Sequence, residues 1–382
     1  MLTQPISPLK QYTRFEEIAP PTEGLLAQNK IGVLALAGGM GSRLRFEQPK
    51  GCFPISVIKE KSLFQLLCEK VQAASQHVKV ALQLAILTSD FNDYQTQAFF
   101  IENHFFGLDS SQVHFFCQPN LPLLDLEGNH FLQSPGKVAT GPGGNGAVFK
   151  YFVESGIWQK WNTLGIEIVN LLPIDNPLVD PFDEILATHH FRNQNEVTIK
   201  AATRVDPYEN VGLICQQDKS IKVVEYSELS LEQRSQELHC ALANLGLYTF
   251  SMEFIDSVSK KDLPVHRALK AVKKINHKGE FELPTTPNAY KLESFIFDLF
   301  AFSRRSEVVC CPRQDYFAAL KNFQGPDSIQ TVKEALLTKD RKLLSKMVGG
   351  SVPDDFLVEL DPSLYYKSKG RKGLPANGSY VN

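Results

Sequence analysis

The residues best suited to chemistry lie between Leu34 and Gly51. An apolar run ending at Ala37 gives way to Gly38-Gly39-Met40-Gly41-Ser42-Arg43 and, after five further residues, to Pro49-Lys50-Gly51. Glycines let a backbone turn sharply and bring bare N–H groups near an anion. The Arg43 guanidinium can fork two phosphate oxygens, whereas the Lys50 ammonium is a compact charge on a mobile stem. Together they are suited to neutralising a polyphosphate. A dinucleotide site fits less well, because Arg43 follows Gly41 where the fingerprint needs a third glycine, and no Walker-type lysine follows. A nicotinamide oxidoreductase is disfavoured on that ground, and a plain tight turn is the remaining alternative.

Such a loop needs a rigid support. Ile31–Ala37 reads as a strand covered on both faces. Further strands are expected at Ala81–Thr88, Val113–Cys117, Ile166–Leu172 and Val197–Thr203, with a helix over Ser62–Ser75. Strands alternating with helices imply a mainly parallel sheet, whose sites gather at the carboxyl ends of its strands. Val211–Ile214 and Ile221–Tyr226 read as a pair around a polar turn, and Leu242–Phe250 as another strand, so the sheet becomes mixed. Lys291–Arg304 spaces Leu292, Phe295, Ile296, Leu299 and Phe300 as in an amphipathic core helix. Residues 1–30, with four prolines, read as an irregular or partly helical lead-in, 31–325 as the main domain and 326–382 as a small C-terminal region. That last region should hold a helix over Ile329–Met347, a strand over Phe356–Leu360 and a solvated tail carrying Lys367, Lys369, Arg371 and Lys372.

Composition narrows the function classes. With 43% hydrophobic residues the chain can bury a large core, and a net charge of -2 supplies no global field for nucleic acid or anionic lipid. No run approaches about eighteen uninterrupted apolar residues, and the first thirty lack an apolar signal core. The expectation is a cytoplasmic protein without nucleic-acid or membrane partners. Seven cysteines without zinc-type spacing read as reduced thiols. His189, His190 and His266 have no ligand-spaced partner and read as structural or exposed.

The stretch LAGGMGSRL followed by PKG resembles the LxGGxGTRLGxxxPKG signature of sugar nucleotidyltransferases, with Met40 for a usual glutamine, Ser42 for threonine and Arg45 for glycine. IDNPLVDP is similar to the family's VDN segment, VGLIC and VVEYSEL to VGVVC and VVEYSEI, and KLESFIFD to KMEKFVFD. In order and spacing these resemble the UDP-N-acetylhexosamine pyrophosphorylases over roughly residues 30–365. The resemblance implies an α/β fold with a Rossmann-like, GT-A-like nucleotidyltransferase core, a mixed and mainly parallel sheet, and small appendages at both ends. It implies an enzyme that joins UTP to an N-acetylhexosamine 1-phosphate, releasing pyrophosphate, with Mg²⁺ as cofactor.

The same resemblance carries roles onto particular residues. Leu36, Ala37, Gly38, Gly39 and Gly41 would contact the nucleotide, with Gln118 offering its amide to the uracil edge and Gly144 approaching close by. Asn145, Gly212, Glu225, Tyr226 and Asn244 would line the sugar. Asp175 would hold Mg²⁺, while Arg43, Lys50 and Lys321 would neutralise the reacting phosphates. Two alternatives stay open: a glucose-1-phosphate or broad UDP-sugar enzyme, and a non-catalytic UDP-sugar binding protein. The sequence carries no signal for oligomeric state.

Overall fold

The computed structural model describes residues 6–367 apart from 219 and 276–278. Its central sheet is built on β1 (Ile31–Leu36), β2 (Leu84–Ser89), β3 (Val113–Gln118), β4 (Ile168–Pro173), β5 (Val197–Ala202), β6 (Leu213–Gln217), β7 (Ser220–Val224), β8 (Leu242–Ser251) and β9 (Ser306–Cys310). The order across the main path is β3-β2-β1-β4-β8-β5-β9. β8 runs antiparallel to both of its neighbours, whereas the other six share one direction. The mixed, mainly parallel sheet expected from the sequence is therefore present. β6 and β7 form a hairpin attached at the amino end of β8.

The apolar run of β1 is buried on both faces. Ile31, Val33 and Ala35 join one cluster with Leu63, Phe64 and Ile86, while Leu34 joins Phe149, Phe152 and Trp161 on the other face. This alternation is the strand period, and each fully buried large side chain contributes about 1.5–3 kcal/mol. Helix α1 (Leu63–Val78) covers the first face. Ser62 caps it by accepting from Gln65 N, and Lys79 ends it in a left-handed conformation.

Three expectations are corrected. Lys291–Arg304 is not one helix: a strand at Ala289–Glu293 is followed by a 3₁₀ helix at Ile296–Phe302. Ser294 N donates to Gly143 O and Phe295 is extended, so backbone pairing interrupts any helix there, yet Ile296, Leu299 and Phe300 still reach the core. The lead-in is sheet edge in part. Ser7–Pro8 pairs with β6 and Thr13–Arg14 with β9, edge positions where proline's missing donor costs little. Phe356–Leu360 forms no strand. Arg341, on helix α2 (Ile329–Val348), donates to the Asp354 and Phe356 carbonyls, and Asp340 accepts from Leu360 N, so this backbone is satisfied without a ladder. The tail residues Lys369, Arg371 and Lys372 lie outside the described residues, as does the Lys367 side chain.

One buried ion pair ties the sheet to its helices. Lys200 Nζ on β5 lies 3.0 Å from Asp183 Oδ2, with side chains 3% and 5% exposed. Asp183 also caps the helix Glu184–Arg192 by accepting from Leu186 N. Lys200→Met strands that carboxylate and is expected to cost about 3–5 kcal/mol in urea unfolding. A loss below about 1 kcal/mol would show that Asp183 finds another partner.

Candidate active site

The carboxyl ends of β1, β2, β3 and β4 lie side by side, and antiparallel β8 brings its amino end, with Asn244, to the same edge. The loop after β1 closes on itself there. Lys50 N donates to Gly39 O at 3.0 Å and Gly41 N to Gln48 O at 3.0 Å, with Met40 bridging Pro49. Lys50 is thereby returned to the strand end it left, while Arg43 is exposed in the short helix Ser42–Leu44.

The last residue of β2, Ser89, and Asn92 just past it latch this loop. Ser89 Oγ donates to Gly38 O at 2.7 Å, and Asn92 Nδ2 to Ala37 O at 2.8 Å and Gly39 O at 3.2 Å. Asn92 is 1% exposed, and its Oδ1 accepts from Ser89 N. Sequence reasoning passed over both; the polar cluster Ser89-Asp90-Phe91-Asn92 directly after a buried strand was the available signal. Arg45 replaces the family's glycine yet keeps a glycine-like path, with φ 56° and ψ 39°. That conformation costs a side chain roughly 1–2 kcal/mol. Its guanidinium sits 4.5 Å over the Phe323 ring, an exposed cation–π contact that offsets about 0.5–1 kcal/mol.

Facing the loop, Asp175 follows β4. Lys50 Nζ is 3.2 Å from Asp175 Oδ2, with side chains 12% and 18% exposed. Asp175 O accepts from Leu320 N, and the buried Asn176 donates to Tyr316 O and accepts from Ala318 N. These bonds deliver the segment that carries Lys321 to the end of β4. From behind, Lys70 donates to the carbonyls of Pro177 and Val179, and Lys339 of α2 to that of Leu178. Burial, with Lys339 alongside, pushes the Lys70 amine down to about 7. Both lysines line a cavity of about 80 Å³, and none of residues 36–50 does.

A second group forms around Gln118 at the end of β3. Gln118 Nε2 donates to Gly144 O at 2.6 Å. Gly144 has φ +80°, and a Cβ there would lie 2.1 Å from Ser294 O, so the position requires glycine. Asn145 Oδ1 accepts from Ile296 N at 3.0 Å, which fixes this side chain against the segment that follows Phe295.

The third group is Gly212, Glu225 and Asn244. A Cβ on Gly212 would stand 3.3 Å from Glu225 Oε1 and 3.8 Å from Asn244 Cβ, so this glycine makes room for both. Asn244 shares hydrogen bonds with the Tyr248 hydroxyl. Glu225 is less exposed than a strand-end carboxylate usually is. Burial and neighbouring Glu228 raise its carboxyl above the ordinary range, with Lys321 opposing. The Lys321 ammonium itself lies 5.8 Å over the Phe317 ring. Tyr226 opens the next turn, and the Arg234 guanidinium lies 5.5 Å over its ring. Of the other histidines, buried His190 bonds Thr198 and His189 bonds Glu307, both structural roles.

The model of the UTP–glucose-1-phosphate uridylyltransferase family matches residues 3–368. The chain belongs to this family. Among its relatives, the probable UDP-N-acetylglucosamine pyrophosphorylase of Schizosaccharomyces pombe is 32% identical, over 86% of this chain and 74% of the relative. The UDP-N-acetylglucosamine pyrophosphorylase of Saccharomyces cerevisiae is also 32% identical, over 89% and 75%. A crystal structure of a UDP-N-acetylglucosamine pyrophosphorylase homologue from Entamoeba histolytica superposes with a TM-score of 0.86 at 27% identity, covering 96% of each chain. The uridylyltransferase fold expected from the motifs is thereby established, and the glycine loop sits where such a fold places its site.

Loss of the latch should be measurable. Asn92→Ala removes two hydrogen bonds to the loop carbonyls and one from Ser89 N, and is expected to lower stability by about 3 kcal/mol in urea unfolding, at about 1 kcal/mol each. An unchanged midpoint would mean that the loop holds itself.

Proposed function

We propose that this protein is a UTP:N-acetylglucosamine-1-phosphate uridylyltransferase, forming UDP-N-acetylglucosamine and pyrophosphate. One observation carries the reading: Lys50 and Asp175 meet, 3.2 Å apart, at the carboxyl ends of adjacent strands. The two relatives at 32% identity bear that enzyme's name.

In this reading a phosphate oxygen of the sugar phosphate forms a bond to the α-phosphorus of UTP as the bond to the β-phosphate oxygen breaks. Pyrophosphate departs with the electron pair, and no side chain becomes covalently attached. The protein's work is alignment and charge neutralisation. Gly38, Gly39 and Gly41 admit the nucleotide backbone closely, with Leu36 and Ala37 at the strand end beneath it. Gln118 keeps one amide N–H and its oxygen for uracil, since the other N–H holds Gly144. Lys50 and Lys321 balance phosphate charge, and exposed Arg43 meets the departing pyrophosphate. Asn145, Gly212, Glu225, Tyr226 and Asn244 form the sugar side, where Glu225 accepts from sugar hydroxyls.

Mg²⁺ fits this arrangement. Asp175 is a partly buried carboxylate that already faces a cation, and one carboxylate with phosphate oxygens and waters is a sufficient set for this ion. Among the described residues no group of three or more His, Cys, Asp or Glu could hold it alone, so Asp175 would share it with substrate. When bound, the ion would screen phosphate charge and orient the phosphates. No helix among the described residues is long and apolar enough to cross a membrane, which is compatible with a cytoplasmic enzyme.

A panel of sugar 1-phosphates with UTP tests the reading through pyrophosphate release. N-acetylglucosamine 1-phosphate should give the highest kcat/KM; preference for glucose 1-phosphate, or no release with any sugar, would overturn it. Lys50→Ala should lower kcat about 10²–10³-fold, as loss of one charge-stabilising donor does, with a smaller loss of urea stability than Lys200→Met because Asp175 is more exposed than Asp183. Near-normal turnover in that variant removes Lys50 from the mechanism. Gln118→Ala should raise KM for UTP and erode discrimination against CTP, and undiminished discrimination would place uracil elsewhere.

A further inference from the structure

Two carboxylates from separate parts of the chain meet at one imidazole beside Glu225. His266 opens the strand His266–Lys270, which pairs antiparallel with Ala289–Glu293. Its Nδ1 lies 2.8 Å from Glu228 Oε1 and its Nε2 3.0 Å from Asp298 Oδ2. Carboxylates accept, so each ring nitrogen must donate, and an imidazole with both nitrogens donating is the charged form. The histidine expected to be merely structural or exposed is therefore a cationic bridge.

The two acceptors belong to two walls of the proposed sugar site. Glu228 closes the 3₁₀ turn that begins directly after Glu225. Asp298 lies on the helix Ile296–Phe302, whose first N–H is held by Asn145. The Phe295 ring packs 4.9 Å from the imidazole. The charged groups facing His266 are Glu228, Asp298, Glu225 and, opposite it in the ladder, Glu293, which is itself engaged by Lys291 at 2.8 Å.

We infer that His266 is a positioning residue: its imidazolium ties the Glu225 turn to the 294–298 segment and so holds the sugar side of the site closed. This rests on the uridylyltransferase reading above. Burial alone would push the imidazole down, but the hydrogen bonds to Asp298 and Glu228 outweigh it and hold it above its ordinary value. The bridge is complete below that raised value and is lost as pH rises through it.

The test compares wild type with His266→Gln, which cannot carry the charge, and His266→Lys, which carries it throughout the range. Steady-state kinetics run between about pH 6 and 9, where an imidazole titrates. His266→Gln should raise KM for the sugar 1-phosphate about tenfold, the effect of losing one charge-assisted bond, with KM for UTP and kcat little changed. In wild type that KM should climb with pH, and both variants should flatten the climb; titration of the sugar phosphate itself is common to all three. Equal changes in both KM values, or identical pH profiles in wild type and His266→Gln, overturn the positioning role. A histidine NMR resonance absent from His266→Gln should titrate above the ordinary imidazole value in wild type, and titration at or below that value overturns the bridge. Absence of wild-type turnover with every sugar phosphate overturns the uridylyltransferase reading along with this role, whereas normal wild-type turnover with an unmoved sugar KM overturns this role alone.

Discussion

The parallel register of β1 against β4 sets the rest of the site. Leu36 stands opposite Pro173, so the glycine loop and Asp175 leave the sheet at the same height. A slip of one residue would turn each buried side chain of β1 to the wrong face, and the two clusters packed on that strand make such a slip prohibitive. Core packing thus fixes a polar distance. The 3.2 Å between Lys50 and Asp175 follows from hydrophobic registration as much as from charge.

Around that fixed point the polar groups are organised by backbone carbonyls. Asn92 and Ser89 hold the three carbonyls of Ala37, Gly38 and Gly39; Lys70 and Lys339 hold those of Pro177, Leu178 and Val179. Two loops are thus pinned from behind, with Lys50 and Asp175 facing each other between them. Such pre-organisation lowers the ordering cost when phosphates bind.

Much of this was legible in the sequence. The β1 run and the glycine loop were readable because a doubly buried strand and a tight backbone turn each impose a local composition. Gly212, Glu225 and Asn244 were recoverable only through resemblance, since nothing local tells that Glu225 will be buried or coupled to Lys321. The helix expected over Lys291–Arg304 failed because its apolar spacing is equally met by a strand and a 3₁₀ turn, and the deciding partner, Gly143, lies far away in sequence. His266 was unreadable for the same reason: its two carboxylates come from distant segments.

The clamp on residues 177–179 has a chemical side as well. The burial that holds the Lys70 amine down to about 7 comes from its place beneath α2 and the 360–366 segment. Lifting of the C-terminal helix would return that amine to its ordinary, higher value, so uptake of a proton would accompany the release of the loop that follows Asp175.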